Sequence, residues 1–155
     1  MAAHFHTTRR MEFCDTDMAG LVHFANFFRF MESAEVEFLR SLGMCVTDKP
    51  PGQKFGFPRV SASCDYLEPA RFEDLIDIAV TVSNIGRKSI TYAFEFSKKG
   101  QPVARGQISA VCCRTMDDGR LESMEIPAHV RKALEAGGDG DQGAKPEIRG
   151  QRSEV

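Results

Sequence analysis

The stretch Phe24-Ala25-Asn26-Phe27-Phe28-Arg29-Phe30-Met31-Glu32-Ser33-Ala34-Glu35-Val36-Glu37-Phe38-Leu39-Arg40-Ser41-Leu42-Gly43 decides the fold. Phe27, Phe30, Met31, Ala34, Phe38 and Leu42 recur at three- and four-residue spacing, which gathers side chains on one helix face. Gly43 stands where a helix favours a left-handed residue just past its end. This predicts the longest helix of the chain. Phe24, Phe28, Val36 and Leu39 widen its apolar surface beyond one stripe, so a central helix covered on more than one side is expected.

On both sides of this helix the period changes to two. Phe5, Thr7, Arg9, Met11 and Phe13 alternate with His4, His6, Thr8, Arg10 and Glu12, as in a first strand. Beyond the Pro50-Pro51-Gly52 breaker come Val60, Ala62, Cys64 and Tyr66, then Ile76, Ile78, Val80 and Val82, then Ile90, Tyr92, Phe94 and Phe96. Asn84-Ile85-Gly86 and Lys98-Lys99-Gly100-Gln101 supply turns, and a last strand runs from Val103 to about Arg114. Its face of Ala104, Gly106, Ile108, Ala110 and Cys112 is small enough to let the helix lie close. One strand, a long helix and then antiparallel strands predict an α+β domain whose single sheet wraps one helix. A short amphipathic stretch from Pro127 to about Ala136 closes it.

A chain of 155 residues, 42% hydrophobic, has room for one core, whose folding would bury roughly two thirds of the unfolded surface. The domain is expected over residues 1–136, with 137–155, rich in Gly and charge, expected to be a disordered tail. No apolar run reaches the ~18 to 20 residues of a membrane span, and the opening Met1-Ala2-Ala3-His4-Phe5-His6 lacks the form of a secretion signal. No membrane association and a cytoplasmic location are therefore expected. With 20 basic and 22 acidic residues the chain carries no overall footprint for nucleic acid, and an anionic ligand must be met by a local basic cluster. Cys14, Cys45, Cys64, Cys112 and Cys113 are odd in number and irregular in spacing, which fits reduced thiols.

Chemistry concentrates in Glu12-Phe13-Cys14-Asp15-Thr16-Asp17-Met18-Ala19-Gly20-Leu21-Val22-His23-Phe24, where two carboxylates, a glycine and a histidine precede the helix. A helix start offers amides without intrahelical partners and a partial positive charge, which suits an oxyanion. The same residues can equally be loop and capping groups, since acidic side chains before helices are common.

The run Glu12 to Val22, followed by the aromatic Phe27-Phe28 and the long helix, resembles the signature of the 4-hydroxybenzoyl-CoA thioesterase family. Pro69-Ala70-Arg71-Phe72-Glu73-Asp74 and Gly86-Arg87-Lys88-Ser89 are similar to that family as well. The resemblance implies the hotdog fold, a five-stranded antiparallel sheet wrapped around one long helix. It also implies a homodimer or a homotetramer, a dimer of dimers, with active sites between subunits. The activity implied is hydrolysis of an acyl-CoA thioester to a free acid and coenzyme A, without metal or organic cofactor. On this resemblance the catalytic carboxylate falls on Asp17, as nucleophile or general base, while Asp15 orders the loop. The oxyanion donor falls on the backbone amide of Phe24. His23 is either a catalytic group that positions water or helps the thiolate leave, or a polar residue at the subunit edge.

Arg87, Lys88 and Ser89 form a basic cluster at a strand start that suits the phosphates of coenzyme A, the alternative being a solvated hairpin end. They do not form a P-loop, because the glycine spacing is wrong. His4 and His6 share a strand face, but no further ligand follows at a telling spacing, so no metal site is expected. Cys112 and Cys113 point to opposite strand faces, as core or interface fillers would. No Gly-x-Ser-x-Gly elbow is present, which argues against a serine hydrolase. Two other functions fit the same motifs: a hotdog enoyl-CoA hydratase using Asp17 and His23 as a proton couple, and a noncatalytic acyl-CoA binding module.

Overall fold

A computed structural model describes residues 4–44 and 55–137. Strand β1, His4–Arg10, is followed by helix α1, Asn26–Ser41, and then by β2 (Phe55–Gly56), β3 (Arg59–Tyr66), β4 (Leu75–Ile85), β5 (Ser89–Lys98) and β6 (Gln101–Val111). β1, β4, β5, β6 and β3, in that order, form one five-stranded antiparallel sheet, the arrangement the sequence predicts. One face of it presents Ile76, Ile78, Val80, Val82, Ile90, Tyr92, Phe94 and Phe96, all buried. Against this face α1 lays Phe27, Phe30, Met31, Ala34 and Phe38.

The small face of β6 sets how close the helix comes. A Cβ built on Gly106 would stand 1.9 Å from Met31 Cε, so the methionine end in its present rotamer occupies the space that a side chain there would take. Gly43 ends the helix with φ of +73°, in the left-handed region that its position called for.

Several boundaries differ from expectation. β1 stops at Arg10 instead of continuing to residue 13; Met11 is buried, but Phe13 turns outward and is 80% exposed. The cause is local: the amide of Glu12 donates to Asp15 Oδ2 at 2.8 Å, which closes a 3-10 turn over Phe13–Asp15. Asn84 and Ile85 extend β4 past a bulge, so the turn falls on the residues after them. The last strand breaks at Cys112, whose amide donates to the Lys88 carbonyl and whose carbonyl accepts from Met124. The chain then enters a separate three-stranded sheet, β2-β7-β8, with β7 Cys113–Thr115 and β8 Leu121–Ser123. Helix α2, Ala128–Ala136, follows and buries Val130 and Leu134. Cys112 is buried and Cys113 half-buried, and neither is in a disulfide. Cys45, the Pro50-Pro51-Gly52 breaker and the tail from 138 onward lie outside the described residues.

Coverage of α1 is one-sided. Arg29, Glu32, Ser33 and Arg40 face outward, and Phe24, just before the helix, is 62% exposed. Next to this open flank runs β3, which among the described residues is an edge strand paired only with β6. Its helix-side residues Ala62 and Tyr66 are exposed and Cys64 is half-buried.

Candidate active site

The loop between β1 and α1 is a tight hairpin-like return. Thr16 and Val22 form a bridge, and Asp17 N donates to the Leu21 carbonyl at 2.8 Å. A second bridge, Leu21 with Arg71, and the bond from Val22 N to the Ala70 carbonyl fasten the return to the chain preceding β4. Asp15 is buried inside this loop, where it caps the 3-10 turn, and its carbonyl accepts from His23 N at 2.9 Å and Asn26 Nδ2 at 2.8 Å. Its work is to order the loop.

Asp17 is exposed and divides its two oxygens. Oδ1 accepts the amides of Ala19 at 2.8 Å and Leu21 at 3.2 Å, which leaves Oδ2 without a partner among the described residues. The side chain opens on a cleft of about 700 Å³ lined by Phe13, Thr16, Asp17, Met18, Gly20 and Phe72. Phe13 and Phe72 meet edge to face with centroids 6.1 Å apart, an aromatic wall that the alternation pattern, by placing Phe13 inward, does not anticipate.

Past the return, the amide of Phe24 donates to no acceptor among the described residues, and the helix start at Ala25 has no side-chain cap. The Tyr66 hydroxyl fixes the start of the helix by donating to the Phe24 carbonyl at 2.8 Å, and its ring packs edge to face on both Phe24 and Phe27. Burial first, then Cys64, pushes the Tyr66 hydroxyl up to about 12, so it stays a donor across ordinary pH. The sequence pattern marks Tyr66 only as a strand residue; nothing in a strand pattern tells which side chain at its end reaches another element. His23 stacks on Phe24 at 4.6 Å, and its Nδ1 accepts from Ala25 N at 3.2 Å. A neutral His23 ring therefore carries its proton on Nε2.

Arg87, Lys88 and Ser89 lie elsewhere in the protomer. The Asp17 return docks beside Ala70 and Arg71, just before the start of β4, whereas these residues follow the far end of β4, about 30 Å away at the rise of an extended strand. Arg87 is paired with Glu125, and Lys88 Nζ donates to Ser123 Oγ at 3.2 Å. The Glu125 partner holds the Arg87 guanidinium up, and Arg87 in turn holds the Glu125 carboxyl below its ordinary range. One chain does not bring the basic cluster and Asp17 together.

Glu12, Cys14 and Asp15 place one ligand atom each within 4.8 Å of one another. Their donors and acceptors are spent on each other: Cys14 Sγ donates to Glu12, which pushes the thiol up, and Asp15 Oδ2 caps Glu12 N. The group is a loop fastening. Among the described residues no helix is long and apolar enough to cross a membrane.

The Thioesterase-like superfamily model matches residues 11–134, and the chain belongs to that family, with the hotdog fold and thioester hydrolysis as its chemistry. It is 32% identical over 130 residues to a 1,4-dihydroxy-2-naphthoyl-CoA hydrolase of Synechococcus, covering 81% of this chain and 97% of that protein. The crystal structure of the Synechocystis 1,4-dihydroxy-2-naphthoyl-CoA thioesterase superposes with a TM-score of 0.77 at 25% identity, covering 85% of this chain and 96% of that one. A 4-hydroxybenzoyl-CoA thioesterase mutant bound to 4-hydroxybenzoyl-CoA shares the fold, with a TM-score of 0.75 at 23% identity over 86% of this chain and 99% of that one.

Proposed function

We propose that the protein hydrolyses acyl-CoA thioesters to a free acid and coenzyme A, with Asp17 as nucleophile or general base and the Phe24 amide as oxyanion donor. The observation that carries this reading is the division of labour in the Asp17 carboxylate. Oδ1 is locked by two backbone amides while Oδ2 has no partner among the described residues; the side chain lines an aromatic cleft, on the loop that leads to a helix-start amide likewise without a partner among those residues. Oδ2 attacks the thioester carbonyl carbon, or takes a proton from a water that does. The carbonyl electron pair moves onto oxygen, and the oxyanion accepts a hydrogen bond donated by the Phe24 N–H; one such donor is worth about 3 to 4 kcal/mol. Collapse of the adduct expels the coenzyme A thiolate, which takes its proton from solvent while His23 Nε2–H, on the same loop, can donate a hydrogen bond to the sulfur; where Asp17 is the nucleophile, water then hydrolyses the acyl-Asp17 anhydride, which releases the free acid and restores the carboxylate. Coenzyme A is part of the substrate, so the scheme calls for no metal or organic cofactor, and its setting is the cytoplasm.

The active unit is a homodimer, alone or paired again into a homotetramer. The support is the unpaired β3 edge and its uncovered Ala62, Cys64 and Tyr66, a surface that a second β3 would complete. Antiparallel pairing of two such edges turns the Arg87 end of one protomer towards the Asp17 end of the other, which would let Arg87, Lys88 and Ser89 serve the nucleotide of a neighbouring site.

A thiol-release screen over aromatic and aliphatic CoA esters tests the reading. Release that disappears in Asp17→Asn supports it. Loss of enoyl absorbance from crotonyl-CoA without free thiol would assign a hydratase instead, and retained ligand affinity with no turnover of any ester would assign a binding module.

A further inference from the structure

Beyond Asp15 the only buried charged side chain among the described residues is Glu35, 3% exposed in the middle of α1. A carboxylate there is costly unless it is paired, and its partner is Arg59, whose guanidinium stands 2.8 Å from Glu35 Oε2. Burial pushes the Glu35 carboxyl up, and Arg59 opposes that. Charge and hydrogen bonding from Arg59 both act on the Glu35 carboxylate, and a guanidinium has five N–H donors, more than one carboxylate oxygen takes up. Arg59 keeps 39% of its side chain exposed. A core helix thus spends a buried acid on holding one arginine at the open end of the edge strand.

Within one protomer this arginine cannot reach the reaction centre. Phe24 and Glu35 are about 16 Å apart along α1 at helical rise, and Tyr66 and Arg59 about 23 Å apart along β3 at strand rise. A single-ring acyl group at the Phe24 amide falls well short of that. A second copy reverses the geometry. The bulge between Arg59 and Ser61 brings Arg59 opposite Ala110 on the helix side, the side that Tyr66 shares opposite Ala104. Any antiparallel register that keeps two β3 strands paired along most of their length, helix-side residues facing one another, sets Arg59 within about two residues of the partner's Tyr66. Tyr66 is the residue bonded to the Phe24 carbonyl.

The geometry points to Arg59, anchored by Glu35, as a specificity residue supplied in trans: its guanidinium donates to an oxygen substituent on the acyl group held in the partner's site. This rests on the acyl-CoA hydrolase reading above. Glu35 is then a positioning residue, acting through Arg59. Hydrogen bonds from a charged donor discriminate by about tenfold or more.

The test uses the full-length protein with 4-hydroxybenzoyl-CoA and benzoyl-CoA. The parent should prefer the hydroxylated ester by about tenfold in kcat/KM. Arg59→Met should erase the preference by lowering kcat/KM for that ester alone, and Glu35→Gln should weaken it through KM. Two-tag co-expression then isolates a heterodimer of Asp17→Asn with Arg59→Met. If Arg59 acts in trans, one site keeps both an intact Asp17 and the partner's Arg59, and activity returns to about half of the parent's with the preference intact. Activity no higher than that of the Arg59→Met homodimer would place Arg59 in cis and overturn the proposal. If Arg59→Met does not fold, Arg59→Lys takes its place in the same heterodimer. A parent that hydrolyses both esters equally refutes the inference while leaving the hydrolase reading intact; a parent that releases thiol from no CoA ester refutes both.

Discussion

Replacing Asp17 by Asn separates the two duties of that side chain. The amide oxygen of Asn can still accept from Ala19 N and Leu21 N, at the 2.8 and 3.2 Å where Oδ1 now sits. The loop should hold, and unfolding free energy should change by no more than about 0.5 kcal/mol, as at other exposed positions. What disappears is the charge on Oδ2. A lost general base costs about 10² to 10⁴ in rate, or ~3 to 5.5 kcal/mol at 1.36 kcal/mol per tenfold. Turnover is measured by thiol release under saturating ester, beside a thermal melt of each variant. Asp17→Ala serves as the control, because it also removes the Oδ1 acceptor and should lose about 1 kcal/mol of stability in addition to activity. An Asn variant that retains a tenth or more of the parental kcat would show that the carboxylate has been misassigned.

Changing Arg87 and Lys88 together to Ala should raise KM for CoA esters several-fold and leave N-acetylcysteamine thioesters, which lack the nucleotide, unaffected; equal effects on both substrates would remove the phosphate role. Burial alone would raise the Asp74 carboxyl, but Lys98 Nζ at 2.6 Å and Arg71 N at 2.9 Å donate to it and hold it below its ordinary value. Its contribution is therefore present above the unfolded value of 3.8 and lost as pH falls through the folded one. Asp74→Asn should cost about 1 kcal/mol in urea unfolding at pH 7, after allowance for the exposed Lys98, and nothing near pH 2; a gap that persists in acid would contradict this. Tyr66→Phe should lower kcat more than KM by freeing the helix start, an idea that fails if both constants match the parent's. Gly106→Ala should destabilise by about 1 to 3 kcal/mol as Met31 is displaced, and an unchanged melting temperature would show that the side chain simply moves aside.

Most of the fold could be read from side-chain period. Phe27, Phe30, Met31, Ala34 and Phe38 mark the buried helix face because burial and helical geometry impose the same spacing. Ile76 to Val82 and Ile90 to Phe96 do so for the strands. Period fails where a side chain bonds to backbone. Phe13 continues the alternation of β1 but is turned out by the Glu12 and Asp15 cap, and Cys112 continues the face of β6 just where the chain leaves the sheet. The Asp17 loop was recognisable from its residue types, whereas the roles of Tyr66 and Arg59 depend on which distant element lies across from them. Residue spacing carries no such information.

The missing side chain at Gly106 also has a mechanical meaning. Met31 stands seven positions from Phe24 along one helix, and its methyl end fills the clearance over Gly106. Lifting the middle tips the front, and the amide at the front is where the developing charge would be received. A packing change at Gly106 that moved the helix, and not just the end of Met31, would therefore be felt at the cleft without altering any group proposed to meet the substrate.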